Sequence, residues 1–265
     1  EIVIVDNNSP DDSYERLKSQ LSHKHHVIKS GKNGGFAFGN NVGIDYALKR
    51  GADYVLLINN DTTVKSDFLE ELIISIERDE NYGLATGLML NYYQQDTIWF
   101  NGGVLDYNKF YGYHLNEGHK LSIVQKENDF YEEKEISFAT GCLMLIKAEV
   151  FRKIGYLPEG YFMYYEDVDF CAKLAENGYK IIYNPRSVIY HKISNSSGES
   201  ESPFAIEWNT RNRLKFMMKY KNKVSYGRYI RFVTFFYITR VIKYLQYLIK
   251  GRNDKAKALI KGLSG

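Results

Sequence analysis

Three groups of polar residues in this 265-residue chain have the types and spacing to do chemistry. Asn59-Asn60-Asp61 sets an amide and a carboxylate two residues apart after the apolar run Tyr54-Val55-Leu56-Leu57-Ile58, where strand alternation turns both side chains the same way. Such oxygens can hold Mg²⁺ or Mn²⁺, because a hard divalent cation keeps several waters and needs few protein oxygens beside those of a phosphate. The same three residues also suit an Asn/Asp-rich turn. Tyr164-Tyr165-Glu166-Asp167-Val168-Asp169-Phe170 concentrates carboxylates where a helix begins. Acids there complement the helix dipole, while their mutual repulsion raises at least one pKa and suits a general base. His191, after Val188-Ile189-Tyr190, can ligate a metal or cap a polar loop.

These residues need a scaffold, and the chain supplies alternating strands and helices. Ile2-Val3-Ile4-Val5 is β-branched and leads into Asp6-Asn7-Asn8-Ser9-Pro10, from which a helix is expected to run to Leu21 with Ser9 as N-cap. A short strand at Val27-Ile28 precedes a Gly/Asn-rich loop over 31–41 and a helix carrying Ile44, Ala47 and Leu48. Tyr54 to Ile58 is the next buried strand, and Ser66 opens a helix through Ile76. The alternation predicts an α/β fold with a parallel sheet covered by helices and a site at the strand carboxyl ends, where Asp6 and Asp61 both fall. A long Tyr/Asn/Gly-rich loop is expected over 91–131. Order then returns with a strand at Cys142 to Ile146, helices ended by Gly155 and Gly178, and strands at Ile181 to Tyr183 and Val188 to Tyr190.

With 15% aromatic residues and only four prolines, the composition excludes disordered and collagen-like chains. Two cysteines, Cys142 and Cys171, cannot make a disulfide framework, and no hydrophobic leader opens the chain, so a reducing, cytoplasmic setting is expected. The net charge of +3 hides a division: residues 211–265 carry fifteen Lys/Arg against one acid, Asp254, while the rest carries twenty basic and thirty-one acidic groups. An acidic body suits a carboxylate site, and a basic aromatic tail suits an anionic surface. Between Val224 and Ile249 the apolar residues follow helical spacing, but the longest uncharged run, Phe232 to Thr239, falls far short of the roughly 20 residues that cross a bilayer. An interfacial helix at the cytoplasmic face of a membrane is one reading; packing on the body or on a second copy in a homodimer is the other. No nucleic-acid module surrounds the basic residues, so no nucleic-acid partner is expected.

Taken in order, Val5-Asp6-Asn7-Asn8-Ser9, Asn33-Gly34-Gly35-Phe36-Ala37-Phe38-Gly39-Asn40-Asn41-Val42-Gly43, Asn59-Asn60-Asp61-Thr62, Thr140-Gly141-Cys142 and Tyr165-Glu166-Asp167-Val168-Asp169-Phe170-Cys171 resemble family 2 glycosyltransferases, especially their rhamnosyltransferase-like branch. Gly178-Tyr179 and His191 extend the match. The resemblance implies a Rossmann-like GT-A fold with a mostly parallel sheet over residues 1–210, lacking its first strand because Glu1 already begins what resembles the family's second, and a helical extension over 211–265. It implies an inverting transferase that moves a sugar such as rhamnose from a nucleotide-diphospho-sugar to a hydroxyl of a glycan or lipid-linked acceptor, for cell-surface polysaccharide synthesis. Asp6 would then bind the donor's base, Asn33, Gly34, Asn40 and Asn41 would line the nucleotide pocket, and Asn59 and Asp61 would form the metal-diphosphate motif. Asp167 would be the base, His191 would lie beside the metal, and Arg211 near the donor phosphates. The aromatic segment Tyr92 to Tyr113, with Trp99, Tyr107 and Tyr111, would receive the acceptor or cover the sheet. Two other readings share parts of this pattern: a sugar nucleotidyltransferase, and a degenerate module that binds carbohydrate without catalysis.

Overall fold

The computed structural model describes residues 1–192 and 202–265. In chain order the elements are β1 (Val3–Asp6), α1 (Ser13–Leu21), β2 (His26–Lys29), α2 (Gly35–Lys49), β3 (Tyr54–Ile58), β4 (Thr62–Val64), α3 (Phe68–Ile76), β5 (Tyr82–Asn91), β6 (Ile98–Phe100), β7 (Gly103–Asp106), β8 (Tyr111–His114), α4 (Leu121–Val124), β9 (Lys134–Ile136), β10 (Leu143–Lys147), α5 (Ala148–Ile154), α6 (Glu166–Glu176), β11 (Lys180–His191), α7 (Pro203–Lys219), α8 (Tyr226–Ile249) and α9 (Asn253–Leu263). The α/β expectation holds, with a mixed sheet of order β3-β10-β5-β11-β4 to which β6 and β9 add at β5 and β11. β10 runs antiparallel to both β3 and β5, whereas β5 and β11 are parallel. A buried apolar run carries no mark of strand direction, so the parallel sheet was expected from the alternation of strands and helices alone. β5 is buried from Gly83 to Leu90, so both of its faces are covered. α3 packs on β5 and β11, and α5 and α6 pack on β10 and β11.

β1 and β2 pair in parallel as a separate two-stranded sheet, with α2 lying against both β1 and β3. The helix expected from Pro10 starts at Ser13, because the Asp6 carboxylate captures the Ser9 amide at 3.1 Å and turns the chain first. The loop expected over 31–41 is helical from Gly35 onward. Gly35 has φ +86°, and a Cβ there would fall on the Phe162 carbonyl oxygen, so glycine here serves a close approach rather than a loop. The segment 91–131 likewise holds short elements, β6, β7, β8 and α4. The expected ends at Gly155 and Gly178 are met, both with φ near +80°. The two strands expected around 181–190 join as β11 across an irregularity between Asn184 and Val188.

The boundary expected at 210/211 falls inside α7. Ser202 caps this helix by accepting from the Ala205 amide at 3.1 Å, with Pro203 in the first turn. Phe216, Met217 and Tyr220 at its far end belong to the main core. There the buried Asp169 carboxylate accepts from Lys219 Nζ at 2.6 and 2.8 Å and from the Tyr220 hydroxyl at 2.6 Å. α9 folds back on α7, and Ile206, Tyr247, Ala256, Ala258 and Leu259 form a second, smaller core. Asp169→Ala removes the carboxylate that fastens α7 to α6. Urea unfolding should show a loss of about 3 kcal/mol, the lower end for a broken buried ion pair because Lys219 can turn to water. A loss below about 1 kcal/mol would contradict this anchoring role.

Candidate active site

Strand pairing brings Asp61 and His191 together. β11 pairs antiparallel with β4 so that His191 faces Thr62, and the Lys192 amide donates to the Asp61 carbonyl at 2.8 Å. β3 ends at Ile58, and the Thr62 hydroxyl closes a turn on the Asn59 carbonyl at 2.7 Å. Strand alternation therefore does not orient Asn59 and Asp61; the turn and the β4–β11 pairing do. His191 Nε2 lies 3.1 Å from Asp61 Oδ1, its one close polar neighbour among the described residues, and His191 Nδ1 is buried without a hydrogen-bond partner. Burial lowers the His191 pKa, outweighing the pull of the Asp61 carboxylate, so the imidazole is neutral near pH 7 and able to ligate. The neutral imidazole nitrogen and the carboxylate oxygen, 3.1 Å apart, are the two atoms that would hold a divalent cation here. Among the described residues no third His, Cys, Asp or Glu completes a metal set, so a cation here would take its other ligands from phosphate and water. The residues fit a divalent cation on these terms.

Trp99 covers His191 at 4.3 Å between ring centroids, and His114 meets Trp99 edge-on at 4.9 Å. The aromatic segment is thereby divided. Trp99 walls the Asp61–His191 pair, Tyr107 stacks on Phe216 in the core, and Tyr111 is exposed beside Tyr165. His114 Nδ1 donates to the Trp99 carbonyl at 3.0 Å, and the ring lies near enough to act electrostatically on both His191 and Asp167. Nothing local in the sequence singled it out.

Asp167 is the second residue of α6, which Glu166 begins directly after Tyr164 and Tyr165, whose φ values are +68° and +75°. Two consecutive bulky residues in the left-handed region are strained, and such strain persists only where the surroundings enforce it. Asn212 on α7 does so, donating from Nδ2 to the Met163 and Tyr164 carbonyls at 2.8 and 2.9 Å, while the Tyr165 hydroxyl donates to the Phe110 carbonyl at 3.1 Å. Asp167 then accepts from the Gly141 amide at 3.1 Å and the Val168 amide at 2.8 Å. The next residue, Cys142, accepts the Asn59 amide on its carbonyl at 3.1 Å. The segment 140–142 is therefore fastened to Asp167 on one side and to the Asn59–Asp61 turn on the other. Burial raises the Asp167 pKa, and the two amides pull it back. Burial raises Glu166 further, with the Asp167 charge adding to it, and one Glu166 oxygen has no partner.

On the other side of α2, Asp6 is buried, and its neighbour Asn7 is fixed by donation to the Gly35 carbonyl at 2.8 Å and by the Ser30 hydroxyl at 3.2 Å. Asn33 accepts from the Gly35 amide at 3.2 Å, next to Gly34. Asn40 and Asn41 lie on α2 itself. Asn40 bonds back to the Phe36 carbonyl, whereas Asn41 is buried and clamps Leu157 from both its amide ends and reaches Glu159. Arg211 stands apart from this cluster, in the α7–α9 seam: its guanidinium lies over Trp208, pairs with Glu207 at 3.6 Å and donates to the Lys261 carbonyl. Asn7, Ser30, His114 and Asn212 are thus contributors that single-residue reading did not select.

A sequence profile described as "Glycosyl transferase family 2" matches residues 1–155. The chain belongs to glycosyl transferase family 2. Relatives include the low-salt glycan biosynthesis hexosyltransferase Agl10 of Haloferax volcanii, 33% identical over 65% of this chain and 52% of that protein. The dTDP-rhamnosyl transferase RfbF of Shigella flexneri is 26% identical over 100% of this chain and 86% of its own length. The family member described here therefore matches about half the length of Agl10 and most of RfbF. Among solved structures, GalNAc-T7 with UDP, GalNAc and Mn²⁺ superposes with TM-score 0.56 at 17% identity, over 72% of this chain and 37% of that one. The mannosyltransferase PcManGT of Pyrobaculum calidifontis, in complex with GDP-Man and Mn²⁺, gives 0.52 at 14% identity, over 100% and 64%. These likenesses establish the GT-A fold of this family 2 chain.

The buried Glu166 makes a pH prediction. A carboxyl whose folded pKa lies above its ordinary 4.5 holds its proton more tightly when folded, so the folded state loses stability as pH rises from that value through the raised one. Glu166→Gln cannot ionise. Between about pH 5 and pH 8 the melting temperature of Glu166→Gln should therefore fall less than that of the unsubstituted chain. Parallel decreases in both would count against a raised Glu166 pKa.

Proposed function

We propose that this chain is an inverting glycosyltransferase that moves a hexose, rhamnose in the first instance, from a nucleotide-diphospho-sugar to a hydroxyl of a glycan or lipid-linked acceptor in cell-surface polysaccharide synthesis. The observation that carries the proposal is the short backbone bridge Gly141–Cys142, two adjacent residues of which one donates to the Asp167 carboxylate and the other accepts from Asn59 at the head of the Asn59–Asp61 turn. Direct displacement of a nucleoside diphosphate needs charge neutralised on the departing phosphates and a base for the acceptor hydroxyl. Asp61 and His191 are the residues that would hold Mg²⁺ or Mn²⁺, and a bound cation would supply that neutralisation. Asp167 would accept the hydroxyl proton; its two amide bonds orient the carboxylate and favour its charged form against burial. Trp99 and the exposed ring of Tyr111, near Asp167, offer apolar faces on which an acceptor sugar can lie. Asp6 and the Asn7–Ser30–Asn33 cluster would receive the nucleotide at the α2 N-terminus. The names of Agl10 and RfbF support hexosyl and rhamnosyl transfer. The reading includes a cytoplasmic location and peripheral contact with a membrane.

Asp167→Asn keeps the shape and removes the base, so turnover measured on nucleotide-sugars with Mn²⁺ should fall by roughly 10²- to 10⁴-fold while donor binding survives. Near-normal turnover of Asp167→Asn would remove the assignment. Asp61→Ala should lose the Mn²⁺-dependent part of donor binding by at least roughly tenfold, read by thermal shift or calorimetry. Donor affinity that does not change with Mn²⁺ in either protein would sink the metal role.

A further inference from the structure

The helix α8 presents a face that the fold leaves uncovered. Its inward side is set by Phe236 and Tyr247, both buried, and the two cations in mid-helix lie on that side, Arg240 over the Phe236 ring and Lys243 over the Tyr247 ring. At 100° per residue, the opposite side from Phe235 onward shows Phe235, Ile238, Val241, Ile242, Leu245 and Ile249, with no charge among them. These side chains are 50% to 86% exposed. The stripe is about 21 Å long, and a contiguous apolar face of this size on a folded chain marks an interaction surface.

The ends of the stripe identify the partner. Arg228 and Arg231 stand at its start, Lys250 and Arg252 at its finish, and residues 221–265 carry eleven Lys/Arg against the single acid Asp254. At the first end a cavity of about 530 Å³ is lined by Asn108, Arg228, Arg231, Phe232 and Phe235. Asn108 holds Arg228 by accepting from Nη1 at 2.9 Å, and neither arginine pairs with a carboxylate among the described residues. Two guanidinium groups above two phenyl rings match an anion that joins an apolar chain, which is a lipid phosphate. A second copy fits poorly. Antiparallel pairing of two such helices would set Arg228 and Arg231 against Lys250 and Arg252, and parallel pairing would set each cluster against itself. No helix among the described residues is long and apolar enough to cross a bilayer, which leaves α8 lying in the interface.

We propose that α8 docks flat on an anionic lipid surface, burying the Phe235–Ile249 face among the lipids and seating a headgroup phosphate between Arg228 and Arg231. This gives the peripheral contact of the transferase reading a definite face. It rests on that reading for its purpose, while its test requires no sugar transfer. The full chain is mixed with vesicles of phosphatidylcholine alone or of phosphatidylcholine with phosphatidylglycerol, and bound protein is measured by flotation. Binding to the anionic vesicles is expected, weakening as salt rises. Val241→Glu with Leu245→Glu should abolish it, and Arg228→Gln or Arg231→Gln should each weaken it about fivefold, with the melting temperature of every variant confirming the fold. Equal partition onto both vesicle types, or unchanged binding of the Val241/Leu245 variant, overturns the proposal. So does a concentration-dependent dimer in sedimentation velocity that the same double variant dissolves, which would assign the face to a second copy. Donor hydrolysis without vesicles separates the two readings: docking without hydrolysis removes the transferase, and hydrolysis without docking removes the membrane face.

Discussion

The left-handed pair Tyr164–Tyr165 is the constraint on which the rest of the site depends. An L-residue resists this conformation, and two bulky ones in succession hold it only when their carbonyls and rings are fastened from outside. Four elements supply those fastenings. Asn212 of α7 takes the Met163 and Tyr164 carbonyls, the β7–β8 hairpin takes the Tyr165 hydroxyl, α2 gives the Phe36 amide to the Phe162 carbonyl at 2.9 Å, and α6 begins at once with Glu166. The turn therefore places Asp167 and at the same time ties the α2 N-terminus to helix α7. This gives α7 a role in the site as well as in the core.

Electrostatics across the site are graded by partner and by burial rather than by distance between acids. Asp169 is committed to Lys219 and Tyr220, so its charge is spent on structure. Glu166 is sealed with one bare oxygen and is driven toward its neutral form, which lessens the repulsion on its neighbour. Asp167 is left with two backbone amides and no committed side-chain partner among the described residues. Three acids within four residues thus acquire three different surroundings, which is how one short motif can serve packing, charge balance and, in the proposed reaction, proton transfer.

Much of this was legible in the residues because the signals were local. The apolar runs at 54–58 and 142–146, the glycine stops at 155 and 178, and the acids at the head of α6 are each written within a few positions. The joint pattern of Asp6, Asn59–Asp61, Thr140–Cys142, Glu166–Asp167 and His191 carried the family. What stayed hidden is non-local. Strand direction depends on connections that a hydrophobic run does not encode, so antiparallel β10 was not foreseen. Gly35 reads as a loop residue until the Phe162 carbonyl is seen against it. Asn212 and His114 are single polar residues in unremarkable surroundings, and only the folded contacts give them work. Arg211, carried toward the phosphates by the resemblance, meets Trp208, Glu207 and Lys261 in the folded chain.

The divided sheet has a consequence for how the molecule breathes. β1, β2 and α1 form a thin outer leaf: α1 buries no residue, the two strands pair only with one another, and α2 is the shared support. Such a leaf opens at a free energy well below that of global unfolding, while β5, β10 and β11 open only with the whole. Asp6, Asn7 and Ser30 all ride on that leaf. Backbone amides of β1 and β2 would exchange with solvent first, and a nucleotide seated there would close the leaf as it bound, so part of its binding energy would appear as local ordering at the N-terminal edge.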